Sequence, residues 1–318
     1  MRIIRALAAA ALATTFLVGA GHAPRAAAGE LPSATAFFNH PDSLVNKWVA
    51  ANPNDSRRAR IASRIASQPQ AVWFSRYTPG TVTEDVRKIT SAASAKGQVP
   101  VLVAYQLPNR DCGGASAGGA PDLASYDAWV RGFAAGLGSG SSVVILEPDS
   151  IALISCLSPS ELSGRYASLA RASAAIHAAA PKARVYFDAG HSAWNSAAVQ
   201  ASRLRSAGVL SSGDGIYSNV SNYRRTADEV TFAKAVLAQL GSSSDLTAVI
   251  DTSRNGNGPA PGDAWCDPHG RKVGENPTAN TGDPAVDAYL WIKPPGELDG
   301  CAGAAGAFSP DYAYEMAG

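Results

Sequence analysis

Ser142-Val-Val-Ile-Leu-Glu-Pro-Asp-Ser150 is the stretch on which the fold turns. Residues 143–146 are an unbroken aliphatic run, closed by two carboxylates around a proline. A run apolar at every position has no solvent face, so it reads as a strand buried on both sides, as in a parallel sheet covered by helices. The same reading repeats along the chain, with strands at 71–77, 99–107, 142–148, 183–188, 215–220, 247–251 and 288–292. Between them, residues 83–95, 123–137, 159–179, 192–207 and 224–240 carry helical patterning. Pro159 after Ser158 makes a favourable helix start, and Gly208 a plausible stop. Strand–helix alternation of this kind predicts an α/β fold. Seven strands over roughly 285 residues suit a parallel β/α barrel of TIM type, incomplete, better than an open sheet. No glycine-rich dinucleotide fingerprint follows the first strand, which argues against a nucleotide-binding sheet.

The bulk numbers narrow the function. The chain has 318 residues, 46% hydrophobic and 17% charged, with a formal net charge of +1. That suits a globular protein and offers no broad field for nucleic acid or an anionic membrane. Arg2 and Arg5 precede an apolar run at 6–20 and alanine-rich sites ending at Ala23 and Ala28. This is the layout of a secretory signal peptide, and the run is shorter than the roughly 20 residues that span a bilayer. Residues 1–28 are therefore expected to be removed, with cleavage after Ala23 or Ala28. Residues 29–318 are expected to form a single secreted catalytic domain. The four cysteines, in an exported chain, imply two disulfides, for which three pairings exist. Sequential pairing, Cys112 with Cys156 and Cys266 with Cys301, would staple the loops after the second and third strands and the last two long loops. The cysteine spacing is unlike that of zinc ligands, and the histidines are not paired at ligand spacing, so neither metal nor cofactor is expected.

Acidic residues recur where strands end: Asp111, the Glu147-Pro148-Asp149 pair, Asp188 and Asp251. One such Asp commonly caps the next helix. Several at successive strand ends would converge on the open mouth of a barrel. A mouth of carboxylates without Ser–His or Cys–His pairs points to glycoside hydrolysis, which needs one protonated carboxyl and one carboxylate. Trp73, Tyr105, Trp194 and Trp265 fall at strand ends or in the following loops, where rings can stack on sugars. Trp48, Trp129 and Trp291 lie within helices or strands and read as core.

The segments Val103-Ala-Tyr-Gln-Leu-Pro-Asn-Arg-Asp-Cys112 and Val143-Val-Ile-Leu-Glu-Pro-Asp-Ser150 resemble two signatures of glycoside hydrolase family 6, the inverting cellulases. Further matches, in family order, are Tyr186-Phe-Asp-Ala-Gly-His-Ser-Ala-Trp194, Asn219-Val-Ser-Asn-Tyr223, Asp251-Thr-Ser-Arg-Asn-Gly256, Trp265-Cys266 and Ile292-Lys-Pro-Pro-Gly-Glu-Leu-Asp-Gly-Cys301. The resemblance implies a distorted seven-stranded barrel and the same sequential disulfides. It makes Asp149 the general acid, with Asp111 beside it to raise its pKa and order water. Asp299 becomes the position most often proposed as base, in competition with a water chain toward Asp111. Asp188 becomes a support near the acid, and Tyr105 a ring that favours sugar distortion. Trp73, His191, Trp194, Asn222, Trp265, Lys293 and Glu297 become substrate contacts. Arg254 fits a substrate contact or a brace to a carboxylate equally well. The substrate implied is cellulose or another β-1,4-glucan, met by a monomer.

The match has departures. Exo-acting members carry a second Trp soon after the position of Trp194, where this chain has Asn195, Ser196 and Ala197. They also tend to be longer, so an open cleft and internal cleavage are expected here. Residues 267–272 depart from the family pattern, and residues 308–318 have no counterpart in it. The alternatives are a cellobiose-releasing member, a hydrolase of another polysaccharide, and a carbohydrate-binding protein without catalysis. The three aspartates Asp111, Asp149 and Asp299 weigh against the last.

Overall fold

The computed structural model describes residues 31–241 and 245–318; residues 1–28, expected to be a signal peptide, lie outside them. Among the described residues seven strands form one sheet in chain order: β1 Val72–Phe74, β2 Val101–Ala104, β3 Ser142–Leu146, β4 Ala183–Asp188, β5 Gly215–Ser218, β6 Thr247–Asp251 and β7 Val286–Leu290. Every neighbouring pair is parallel. Alternate side chains serve two cores. Val103, Ile145, Tyr186, Tyr217, Val249 and Leu290 fill the barrel interior. Leu102, Val144, Val185, Ile216 and Ile250 face outward beneath the helices. Both faces are apolar, so the strands read as continuous hydrophobic runs.

The covering helices are α3 Val82–Ser94, α4 Leu123–Leu137, α5 Pro159–Ala179, α6 Ala197–Ser206 and α8 Thr226–Leu240, with α7 a single turn at Val209–Ser212. Their starts are chemically defined. Asp122 accepts the Ser125 N–H at 2.7 Å at the head of α4. Ser158 and Glu161 form a reciprocal capping box at α5. The barrel is incomplete because β1 and β7 share no ladder. Across that seam run a backbone bond from Ala71 N–H to Trp291 O at 2.9 Å and one from Trp73 Nε1 to Ile292 O at 2.7 Å. Beside Trp291 a third apolar cluster joins the two ends of the described chain: α1 Leu44–Ala51, α2 Arg58–Ile61 with a following π-helical turn, and α9 Pro310–Met316.

Several sequence expectations shift. The strand expected at 99–107 ends at Ala104, because the next residues bend to meet the Glu147 carboxylate. The helix expected from 192 begins at Ala197, after a turn closed by Trp194 N–H on His191 O at 3.0 Å. The helix expected from 224 begins at Thr226, since the Arg224 amide is taken by the Asn219 side chain at 2.9 Å. β7 starts two residues earlier than expected, and its register slips between Ala248 and Val249.

Candidate active site

The end of β3 builds the site's centre. Glu147 and Asp149 flank Pro148 with φ of 50° and 67°. Left-handed backbone at a residue with a Cβ costs about 1–2 kcal/mol, a strain that concentrates at functional sites. The structure holds it in place from both sides. The buried Glu147 carboxylate accepts the N–H groups of Gln106 and Leu107 at 2.9 Å each, locking the end of β2 to that of β3. Asp188, at the end of β4, accepts from Ile151 at 2.9 Å, Ala152 at 2.8 Å and Gly190 at 2.8 Å. It thereby fixes the turn that follows Asp149. Asp251 does the same beyond β6, accepting from Ser253 at 2.9 Å and Lys293 at 3.0 Å. Three of the strand-end acids, Glu147, Asp188 and Asp251, are thus spent on backbone amides, and none of them lines the cleft.

That cleft is a pocket of about 750 Å³ at the C-terminal strand ends, where β/α barrels place their sites. Asp111, Asp149 and Asp299 line it together with Tyr105, Trp73, His191, Trp194, Asn222, Trp265, Lys293 and Glu297. Asp111 lies in a loop where Asn109, Asp111 and Cys112 all have positive φ. One of its oxygens accepts the Ser116 N–H at 2.7 Å. The Cys112–Cys156 disulfide, with Cα atoms 5.5 Å apart, ties this loop to the one after β3. Cys266–Cys301 is the other disulfide, so the chain adopts the sequential pairing.

Asp299 reaches the pocket from the loop after β7. Its carboxylate meets Arg254 at 2.8 Å and Lys293 at 3.2 Å, and the Tyr223 hydroxyl donates to it at 3.3 Å. Arg254 is 0% exposed and does not line the pocket, so of its two possible roles it has that of a brace. Gly300 lets this loop touch the loop of Asp111, since a Cβ there would lie 2.5 Å from Ala115 Cβ.

Aromatic rings form the walls. Trp73 and Tyr105 meet edge to face at 5.3 Å, and His191 lies 5.4 Å from Trp194. Trp194 and Trp265 remain 38% and 54% exposed, unusual for rings of that size. Arg110 and Arg224 also line the pocket, two residues to which the sequence patterns give no role. Arg110 bonds to the Ser75 and Ser116 carbonyls, each at 2.8 Å, and Arg224 pairs with Asp263 at 3.0 Å. Neither position follows a strand pattern, and only their place beside Asp111 and Tyr223 hinted at them.

The carboxyls have been driven apart electrostatically. Burial, then repulsion from Asp188, Asp111 and Asp299, pushes Asp149 up to about 8. Burial and Asp188 thus outweigh Asp111, the neighbour that the family resemblance makes responsible for the rise. Burial alone would raise Asp299, but Arg254 and Lys293 hold it below the usual carboxylate range. Burial raises Glu297 to about 7 against the pull of Lys293. Burial, then the nearby Arg224, lowers His191 to about 4, leaving a neutral imidazole. A protonated carboxyl and an ionised one in the same aromatic-walled pocket can perform general acid–base chemistry on a polar bond between ring sugars.

Comparison with known proteins agrees with this geometry. The model of the glycosyl hydrolases family 6 matches residues 33–316. Endoglucanase 1 of Streptomyces sp. (strain KSM-9) is 58% identical over 275 residues, 86% of this chain and 76% of that protein. Endoglucanase A of Thermobispora bispora is 52% identical over 318 residues, 99% of this chain and 69% of that one. Among solved structures, the endoglucanase Cel6 of Mycobacterium tuberculosis, in complex with methyl-cellobiosyl-4-deoxy-4-thio-β-D-cellobioside, superposes with a TM-score of 0.83. It is 38% identical, and the match covers 90% of this chain and 98% of that chain. The chain belongs to glycosyl hydrolase family 6.

Proposed function

We propose that this family 6 hydrolase is a secreted, inverting endo-β-1,4-glucanase whose general acid is Asp149. The observation that carries the proposal is the place of Asp149 in the aromatic-walled cleft with Asp111 and Asp299, where burial and the neighbouring carboxylates of Asp188, Asp111 and Asp299 push it up to about 8. A glucan chain lies across the barrel mouth with sugar faces on Trp73, Trp194 and Trp265. Tyr105 crowds the ring at the scissile bond, while Lys293, Glu297, Asn222 and His191 hold hydroxyls. Asp149 protonates the leaving oxygen as the C–O bond breaks. Water attacks the anomeric carbon from the opposite face and gives up its proton. The separation that admits this water is ~6.5–9.5 Å between acid and base carboxyls.

Asp299 is the anion on the water's side. Its two cations weaken its hold on a proton, which favours passage of that proton through water toward Asp111. Endo cleavage is supported by the exposure of Trp194 and Trp265 and by the names of the relatives at 58% and 52% identity. Secretion is supported by the amino-terminal sequence and by two disulfides, which persist in oxidising compartments. A monomer leaves the cleft open to a polymer.

Time-resolved proton NMR of the oxidised protein acting on cellopentaose tests both hydrolysis and stereochemistry. The α-anomer is expected first, before mutarotation. The β-anomer first would mean retention and would overturn these roles. Folded protein giving no new anomeric signal would favour a binding protein instead.

A further inference from the structure

Asp267 lies two residues beyond Trp265, outside the cleft, and is 7% exposed with a φ of 48°. Both of its oxygens accept from one short turn. Oδ1 takes the Asp299 N–H at 2.6 Å, and Oδ2 takes those of Gly300, Cys301 and Ala302 at 3.2, 2.9 and 2.9 Å. In return the Asp267 N–H donates to Asp299 Oδ2 at 3.3 Å. Successive backbone amides converging on one carboxylate make an anion nest, here satisfied by a side chain of the same molecule.

We infer that Asp267 is the positioning residue for Asp299. This rests on the reading that Asp299 works at the scissile bond. The Cys266–Cys301 disulfide sets the distance between the two loops, yet a single covalent link leaves the turn free to rotate about it. The four-amide grip removes that freedom at residue 299 itself. The reciprocal N–H then aims the Asp299 carboxylate, and Arg254 and Lys293 hold its charge. A misplacement of about 1 Å among the charges around the scissile bond can cost ~100-fold in rate, so the grip acts on turnover rather than on sugar binding.

Asp267→Asn tests this, because it keeps the shape but sets an amide NH2 against N–H donors. The expected result is a fall in kcat of at least ~10-fold on cellotetraose. Affinity for a 4-thio-linked cello-oligosaccharide, which cannot be hydrolysed, should stay within about twofold, since Asp267 does not line the pocket. Parallel loss of kcat and affinity would mean a loosened loop wall and overturn the assignment. Asp299→Ala is measured beside it. If that variant is inactive while Asp267→Asn keeps wild-type kcat, the positioning role falls and the Asp299 reading stands. If Asp299→Ala stays active, both fall. Should the Asn variant not fold, Asp267→Glu, which keeps the charge but overreaches the turn by a methylene, is judged by the same split between kcat and affinity.

Discussion

Replacing Arg254 with Met leaves an apolar chain of similar length and strips Asp299 of its nearest cation. The pair is 2.8 Å apart with side chains 0% and 5% exposed, so almost no solvent is present to replace the lost partner. Breaking a buried pair by removing one member costs about 3–5 kcal/mol. Lys293 at 3.2 Å still serves the carboxylate, which places the expected loss near ~3 kcal/mol. With ~2.1 cal/mol/K of unfolding entropy per residue over roughly 290 residues, that is a fall in Tm of ~5 °C.

The pH dependence has a defined sign. Asp299 is lowered in the native state, so its pairing stabilises above its unfolded value near ~3.9 and fades as pH falls through its native value. Without Arg254 the buried carboxylate gains proton affinity in the fold, and the deficit shrinks in acid. Thermal denaturation of wild type and variant at about pH 7 and about pH 4 measures both. A Tm within about 1 °C of wild type at neutral pH would refute the reasoning, as would a deficit unchanged in acid.

Four further outcomes follow from the same geometry. The general acid must carry its proton, so kcat should decline as pH rises through about 8, the value to which Asp149 is pushed. Asp111→Asn removes one like charge and should bring that alkaline limb down by ~1 pH unit; a limb that stays put or rises would separate it from Asp149. Gly300→Ala would place a Cβ 2.5 Å from Ala115 at a φ of 126°, and should cost ~2 kcal/mol or more in urea denaturation while lowering kcat. Trp265→Ala, at a 54% exposed ring, should leave Tm within about 2 °C but raise KM on cello-oligosaccharides ~10-fold or more, and an unchanged KM would remove it from the binding path.

Much of the fold is legible because the cues are local. Residues 123–137 and 159–179 match α4 and α5 at both ends; Asp122, Ser158 and Glu161 fix the starts through neighbours three residues away, and Gly138, at a φ of 70°, ends α4. Elements fail where a distant group intervenes. β2 stops at Ala104 because Glu147, 41 residues on from Gln106, captures the backbone there. α9, in the tail for which the motifs gave no counterpart although the family model reaches residue 316, is fixed by Tyr312 and Met316 joining the cluster of Ile61 and Trp291, which no local pattern displays. The site divides in the same way. Asp111 and Asp149, with Trp73, Trp194 and Trp265, fall at strand ends or in the loops that follow, so their shared mouth could be read from position, whereas Asp299 is reached only through the family resemblance. Whether a carboxylate faces sugar or grips amides depends on loops folded back from elsewhere. Asp188 and Asp251 end strands much as Asp149 follows one, and they are set apart from it by the backbone amides that they grip. Asp267 lies in the stretch that departs from the family pattern, where sequence offered no role.

The central claim is that Asp149 supplies a proton to a poor leaving group. Its most direct test compares Asp149→Ala with wild type on cellotetraose and on an aryl cellobioside with a strongly acidic phenol. The sugar leaving group needs the proton and the phenolate does not. The account predicts a loss of ~1,000-fold or more on cellotetraose and of less than ~10-fold on the aryl substrate. Equal losses on both would contradict it and remove Asp149 from the role of acid.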